Sequence, residues 1–277
     1  MRIFDIDGTL THPFGEIEDT TGFHSYAFWD LLTDEFVESK ETFRAEIAAW
    51  NESMKTEPDP TGSSHAMMQR AIAEFRAGIS GEALRAKAKD ITVIFLDAGI
   101  VRLEAVSFLK RCLASGETCV LSTGSYLDGA FGFVDALVER DLLTADLLDK
   151  LHISGAEVDW ASRELLHANV RERKILGLKR CLGVDELPAI AAVYCDDPEI
   201  NDKGIYEAAP ADCRFVIATE RKRERLEALG IPVCTWAEII PPPSSFVFAG
   251  GASGATVEGV ASAEAAAATD SGPKGDV

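Results

Sequence analysis

The chain alternates short apolar runs with longer segments in which apolar residues recur every three or four positions. The first run, at residues 2–5, predicts a short buried strand, and TCVLS at 118–122 predicts a second. The segment VRLEAVSFLKRCLASG before the second run has helical spacing and ends at Gly116. A helix, a glycine and a strand therefore follow one another at this point of the chain.

The same order recurs three times further along. KILGLKRCLGV precedes AIAAVYCD, IYEAA precedes CRFVIAT, and RKRERLEALG precedes IPVCT. Helices that connect successive strands are typical of a parallel sheet with right-handed crossovers and with helices on both faces. We therefore predict an α/β fold with a Rossmann-like, three-layer α/β/α core around a parallel sheet.

A long stretch at residues 12–95 has little strand character. It contains helix-like segments at 24–32, 40–50, 64–76 and 80–88, with the turn-rich KTEPDPTGSS between the second and third. A connection of this length is far beyond an ordinary α/β crossover, so we predict an inserted helical subdomain. The core domain would then comprise residues 1–11 and 96–240.

The composition changes after PPPSSF, where Ala, Gly and Ser dominate. Such a segment buries too little apolar surface to offset the entropy lost on ordering, which predicts disorder over residues 244–277. The 46 acidic and 27 basic residues give a formal net charge of −19, which disfavours a nucleic-acid or anionic-membrane surface. The six cysteines form no CxxC pair, so neither a zinc knuckle nor a disulfide framework is expected.

No apolar run approaches the roughly 20 residues that a membrane span needs, and no signal peptide is recognised, which favours a cytoplasmic location. No feature of the sequence specifies an oligomeric state.

Polar residues that could take part in catalysis or ligand binding follow the predicted strands. Asp5 and Asp7 stand at the end of the first predicted strand, and the acids of CDDPEIND at 195–202 stand at the end of a later one. In a doubly wound sheet the ligand site lies outside the carboxyl ends of the strands. Two close carboxylates repel each other unless a cation or a shared proton is present, and Mg²⁺ prefers such oxygen ligands.

Groups suited to an anion follow the second strand and open a later helix. The turn LSTGS supplies the hydroxyls of Ser122 and Thr123, and Gly124 permits a run of backbone N–H groups that suits an anionic oxygen. Lys174, in RERKILGL, stands near a predicted helix start where it could face a bound anion. Taken singly, each of these features is also compatible with an ordinary turn or a solvated run of charges.

The four motifs FDIDGTL, LSTGS, RERKILGL and CDDPEIND, in this order over about residues 1–240, resemble those of the haloacid dehalogenase superfamily. The resemblance is to its phosphoserine-phosphatase-like branch, which has a helical C1-type cap inserted after the first motif. It implies a Mg²⁺-dependent phosphatase that acts on a small phosphorylated metabolite through an aspartyl-phosphate. No match exists for the residues that grip serine in phosphoserine phosphatases, so phosphoserine itself is not supported as the substrate.

The resemblance also implies residue roles. Asp5 would be the nucleophile, and Asp7 would protonate the leaving alcohol, activate water and bind Mg²⁺ through its backbone carbonyl. Thr123 would hydrogen-bond the phosphoryl oxygens, and Lys174 would neutralise their charge. Besides Asp5 and Asp7, the Mg²⁺ ligands would be one or two of Asp196, Asp197 and Asp202.

Several alternatives stay open. Ser122 competes with Thr123 as the phosphate ligand, although the strand register and Gly124 favour Thr123, and Lys179 is the alternative to Lys174. Phosphoryl transfer to a second substrate, as in a mutase, and a non-catalytic binding module are the alternative functions. Aromatic residues of the insertion would either line the substrate cavity or pack its own core: His12, Phe14, His24, Phe28 and Trp29.

Overall fold

A seven-stranded sheet organises the part of the chain that the computed structural model describes, which is residues 1–12, 33, 35–53, 57, 59–218 and 220–240. Its strands are β1 (Arg2–Phe4), β2 (Cys119–Tyr126), β3 (Leu151–Asp159), β4 (Glu164–His167), β5 (Ala192–Cys195), β6 (Arg214–Ile217) and β7 (Val233–Cys234). Their order across the sheet is β4-β3-β2-β1-β5-β6-β7, and only the β3–β4 pair is antiparallel. The predicted α/β fold is confirmed, and the sheet, predicted as parallel, is parallel except at that pair.

Residues 33, 35 and 36 are helical, and nine α-helices with defined bounds follow in the described part of the chain. They are α1 (Lys40–Ser53), α2 (Pro60–Ala73), α3 (Gly81–Asp97), α4 (Leu103–Ala114), α5 (Leu127–Glu139), α6 (Arg173–Leu182), α7 (Lys203–Ala208), α8 (Glu220–Ala228) and α9 (Trp236–Ile239). The helix–glycine–strand repeats predicted from the sequence correspond to α4–β2, α6–β5, α7–β6 and α8–β7. Helix α2 begins earlier than the apolar spacing indicated, because Asp59 caps it and Pro60 occupies its first turn.

Consecutive residues of the central strand point to opposite faces of the sheet, and both faces are covered. Phe4 belongs to one apolar cluster with residues of α3, α4 and α5. Ile3 belongs to a second cluster, to which α6, α7 and α8 contribute. Ile3 and Phe4 are consecutive buried apolar residues, as expected for a strand that is covered on both sides. The molecule therefore has the three-layer α/β/α arrangement predicted for the core.

Several elements were not predicted, among them β3, β4, α5 and α9. Strands β3 and β4 form an antiparallel pair at one edge of the sheet, and α5 follows β2 without a side-chain cap. Helix α3, which crosses the predicted boundary at residue 95, packs against α5. The domain boundaries stay a prediction, and the predicted disordered segment 244–277 and helix 24–32 lie outside the described residues. No helix among the described residues is long and apolar enough to cross a membrane.

Candidate active site

Three of the predicted acids meet at the carboxyl edge of the central strands. Asp5 follows β1, Asp196 follows β5, and Asp202 precedes α7. One carboxylate oxygen from each lies within 4.8 Å of the others. The backbone N–H of Asp5 donates to the carbonyl of Tyr194 at 2.9 Å, so the sheet itself holds the first acid in place.

Lys174, in the first turn of α6, supplies the positive charge at this cluster. Its ammonium donates to Asp5 Oδ1 at 2.9 Å, to Asp202 Oδ1 at 2.5 Å and to the carbonyl of Ser122 at 3.0 Å. The lysine is only 1% exposed. An ammonium has three N–H donors, and each of them has an acceptor here. Lys174, rather than the alternative Lys179, is thus the lysine that contacts the predicted nucleophile.

Burial governs the electrostatics of the cluster. It raises the pKa of the Asp5 carboxyl well above its ordinary value, with Asp202 adding to the effect and Lys174 opposing it. Burial likewise raises the pKa of Asp196 to about 7, although Lys222 opposes the shift. Burial disfavours the Lys174 ammonium, but Asp202 and Asp5 outweigh it and hold its pKa above the ordinary value. Burial therefore disfavours the ionised forms of Asp5 and Asp196, while Lys174 stays charged.

The loop after β5 is organised around the same cluster. The Asp197 N–H donates to Asp202 Oδ2 at 3.2 Å, and the Asp202 N–H donates to the Asp197 carbonyl at 3.0 Å. The Asp197 carboxylate itself accepts from the N–H of Asn201 at 3.3 Å. Lys222 Nζ pairs with Asp196 Oδ2 at 2.7 Å. Asp197 thus shapes the loop that positions Asp196 and Asp202.

Gly8 allows the first motif to approach that loop. Its φ of +77° lies in the left-handed region, which favours glycine, and an added Cβ would overlap the carboxylate of Asp196. The glycine of DIDGT therefore serves both the turn and the contact between the first and fourth motifs.

The LSTGS motif, predicted as a turn after the second strand, instead lies within β2, whose register against β3 is irregular between Ser122 and Tyr126. Thr123 Oγ1 donates to Asp7 Oδ2 at 3.3 Å and accepts from the N–H of Ser125 at 3.0 Å. Ser122 is fully buried, and its Oγ accepts from the side-chain amide of Asn169 at 3.4 Å. The structure thus brings Thr123 to Asp7 and turns the Ser122 hydroxyl into the protein.

Asn169 is a site-supporting residue that the sequence analysis missed. Its Nδ2 donates to the carbonyl of Thr123 at 2.8 Å and to that of Ser154 at 3.1 Å, and its Oδ1 accepts from Ser154 Oγ at 3.0 Å. A Cβ on Gly177 would overlap both Asn169 Oδ1 and Ser154 Oγ, so α6 can approach this network only with glycine at that position. The one sequence signal was a polar residue in HANV, just before the third motif.

A cavity of about 220 Å³ opens over the cluster. Strand ends, the loops after them and the start of α6 line one part of it with Asp5, Asp7, Gly124, Ser125, Lys174, Asp196, Asn201 and Asp202. Helices α1 and α2 line another part with Trp50, Ser64, Met67 and Met68. The charged lining residues thus come from the sheet side, and the two helices add apolar and hydroxyl side chains.

Of the five aromatic residues predicted to line the cavity or pack the insertion, only His12 lies within the described residues. Phe14, His24, Phe28 and Trp29 lie outside the described residues. The backbone N–H of His12 donates to the carbonyl of Ile100 at 2.7 Å.

The cluster fits a divalent cation. Asp5, Asp196 and Asp202 offer hard carboxylate oxygens, which suit Mg²⁺, and burial without a cation raises the pKa of Asp5 and Asp196. Asp7 and Asp197 are not part of this three-acid group. Their predicted roles as metal ligands stay predictions.

No protein-family model and no curated protein sequence matches the chain. Several solved structures resemble it in fold, and two of them are described here. One is a protein of unknown function from Bordetella pertussis Tohama I, with a TM-score of 0.54 and 16% sequence identity. The match covers 85% of this chain and 98% of the other protein's chain. Another is cytosolic 5'-nucleotidase IIIB bound to cytidine, with a TM-score of 0.53 and 10% sequence identity. The match covers 87% of this chain and 82% of the nucleotidase chain. The chain shares the fold of these two structures, and the superfamily, its branch and the cap type stay predictions.

Proposed function

We propose that the protein is a Mg²⁺-dependent phosphatase that hydrolyses a small phosphorylated metabolite. The observation that carries the proposal is the buried group of Asp5, Asp202 and Lys174, with Asp7 lining the same cavity. Phosphoryl transfer needs positioned charges around the phosphorus more than it needs elaborate covalent chemistry. The nucleotidase neighbour is consistent with this chemistry.

Asp5 acts as the nucleophile in the proposed reaction. Lys174 holds its Oδ1, and the carboxylate attacks phosphorus while the bond from phosphorus to the ester oxygen breaks. Asp7 gives its proton to the departing oxygen, so the products of this step are the free alcohol and an aspartyl-phosphate. Asp7 then takes a proton from water, whose oxygen attacks phosphorus, releases orthophosphate and restores the Asp5 carboxylate.

Thr123 positions the proton-transfer group. Its hydroxyl donates to Asp7 Oδ2, which keeps that carboxyl facing the cavity. Asp5, Asp196 and Asp202 would hold Mg²⁺, and the bound ion supplies charge neutralisation between the anionic nucleophile and the anionic phosphoryl group. We further propose that residues 12–95 form the cap, with α1 and α2 contacting the organic part of the substrate.

The test is phosphate release from an aryl phosphate and from panels of nucleoside monophosphates, sugar phosphates and alcohol phosphates, with and without Mg²⁺. Wild-type protein should release orthophosphate only with the metal. Asp5→Asn should lower kcat by about 10³-fold or more, because the amide is a poor nucleophile. Asp185→Asn, at an exposed position, is the matched control and should retain wild-type activity.

Three results would contradict the proposal. Equal activity of Asp5→Asn and wild type would exclude Asp5 as the nucleophile. Absence of turnover across the panel would favour the binding module. Phosphate recovered on an added acceptor, and not in solution, would favour phosphoryl transfer.

A further inference from the structure

Lys222, in α8, is a cation at the acid cluster that lies outside the four sequence motifs. Its ammonium donates to Asp196 Oδ2 at 2.7 Å. Burial disfavours the charged form of Lys222, but Asp196 and Asp197 outweigh burial and hold the pKa of the lysine above its ordinary value. A charged lysine therefore contacts one of the three acids that fit a divalent cation.

The Asp196 oxygen that Lys222 contacts is also close to the first motif. A Cβ on Gly8 would overlap Asp196 Oδ2, so the backbone of the DIDGT turn approaches the same oxygen. The turn after β1 and the helix α8 together restrict the position of this carboxylate. An ionised carboxylate has two oxygens and about four lone pairs, so Asp196 retains acceptor capacity for a metal ion while it accepts from Lys222.

The other two acids of the group are held in the same manner. Lys174 donates to Asp5 Oδ1 at 2.9 Å and to Asp202 Oδ1 at 2.5 Å. Each of the three acids therefore has one oxygen on a lysine ammonium. The motif resemblance assigned a role to Lys174, and it assigned none to Lys222.

We propose that Lys222 is a positioning residue of the Mg²⁺ site, which holds the Asp196 carboxylate in the orientation that binds the ion. The inference rests on the proposed function, because that function requires the metal. A group that hydrogen-bonds a metal-ligating carboxylate fixes its orientation, and loss of such a group typically costs about 10–100-fold in metal affinity.

Lys222 also carries a charge that repels Mg²⁺, and this effect opposes the positioning effect. The exposed fractions of the two side chains, 34% for Lys222 and 13% for Asp196, decide between the effects. Because Lys222 is partly in contact with solvent, water and salt screen its charge. Removal of Lys222 takes a direct, charge-assisted hydrogen bond from the more buried carboxylate. Loss of that hydrogen bond should therefore outweigh relief of the repulsion.

The test is the Kd of Mg²⁺, measured by titration calorimetry on the full chain at about pH 8, where carboxylate ligands are ionised. Lys222→Met removes the ammonium and keeps an apolar stem, and the Kd should rise about tenfold or more. Lys222→Arg retains a charged donor and should bind Mg²⁺ more tightly than Lys222→Met does. Lys222→Gln, which is neutral and of similar size, should also raise the Kd and replaces Lys222→Met if that variant does not fold.

Two comparisons separate positioning from a general effect of charge. Arg225→Met removes another cation of α8, one that pairs with Glu199 and whose side chain is 54% exposed, and it should leave the Kd within about twofold of wild type. Lys222→Met added to Asp196→Asn should change the Kd by less than about twofold relative to Asp196→Asn alone, because the lysine acts through that carboxylate.

A Kd that falls in Lys222→Met would show that the lysine competes with the ion, and it would overturn the inference. An unchanged Kd in folded Lys222→Met and Lys222→Gln, an equal rise in Arg225→Met, or a further tenfold rise in the Asp196→Asn background would overturn it as well. Absence of Mg²⁺ binding by the wild type would overturn both this inference and the metal dependence of the proposed function.

The readout is independent of turnover. If Mg²⁺ binding depends on Lys222 as expected but the wild type hydrolyses no ester, the proposed function fails and the positioning role stands. If the wild type hydrolyses esters with Mg²⁺ and folded Lys222→Met binds the ion normally, only the positioning role fails.

Discussion

Lys174 shows how much one residue does at this site. It is buried and lies between Asp5 and Asp202, with the Ser122 carbonyl as its third acceptor. A buried cation of this kind costs free energy to desolvate, and its loss leaves buried carboxylates without a counter-charge. The lysine therefore stabilises the metal-free fold as well as the site.

Lys174→Met should lower the free energy of unfolding of the metal-free protein by about 3–5 kcal/mol. Urea denaturation in the presence of a chelator measures the effect. Lys179→Met, on the same helix but only half-buried, is the control and should change stability by less than about 1 kcal/mol. Equal stability of the two variants would show that the buried carboxylates do not depend on Lys174.

Residues differ in how far their roles follow from the sequence. Asp5 and Asp202 could be placed at one site because strand ends in a parallel sheet meet at one edge. The roles of Ser122 and Thr123 could not be separated from the sequence, because side-chain direction at the end of β2 depends on an irregular register against β3. Asn169 belongs to no motif, and it supports the site by donating hydrogen bonds to backbone carbonyls that are far away in the sequence.

Elements of the fold follow the same logic. The helix–glycine–strand repeats have local signals, so α4, α6 and the strands after them could be predicted. Strand β3 mixes His, Gly and acids with apolar residues, and its pairing with β4 is set by tertiary contact. The sequence of that edge carries no clear strand period.

Helices α1 and α2 carry a prediction of their own. They place Trp50, Met67 and Met68 on the cavity wall, where apolar side chains would contact the organic part of a phosphate ester. Met67→Ala should change the ratio of kcat/KM between two esters of different size by at least about threefold. The reason is that only an ester whose organic part reaches Met67 loses an apolar contact. Steady-state kinetics with two such substrates measures that ratio.

The Kd of orthophosphate should stay within about twofold in Met67→Ala, since the helices do not contribute the charged lining groups. Ala66→Gln changes an exposed residue on the same helix and is the control. An identical loss of kcat/KM for both esters in Met67→Ala would mean that α2 does not select the substrate.

The whole molecule is strongly acidic, with a net charge of −19, and three of its carboxylates lie together at the site. Burial raises the pKa of Asp5 and of Asp196, so these two carboxyls retain their protons to a higher pH than free carboxyls do. The pKa of Asp196 is about 7 in the folded protein, against an ordinary value of 3.8, with burial as the main cause. Between these two values the folded protein binds more protons than the unfolded chain, so its metal-free stability falls as the pH rises through that window.

Magnesium should reverse that dependence, because its carboxylate ligands must be ionised to bind it. The increase in Tm on adding Mg²⁺ should therefore be small at about pH 5 and larger at about pH 8. Thermal unfolding of the full chain, with and without the metal at both pH values, measures the difference.

Asp196→Asn removes this titrating group and one oxygen anion of the cluster, so its Tm should respond less to Mg²⁺ at either pH. Asp185→Asn, on the surface, should behave like the wild type and shows that a general loss of negative charge is not the cause. An Mg²⁺-induced increase in Tm that is equal at both pH values, or that survives in Asp196→Asn, would place the metal elsewhere. The cluster after β1 and β5 would then be stabilised by Lys174 and Lys222 alone.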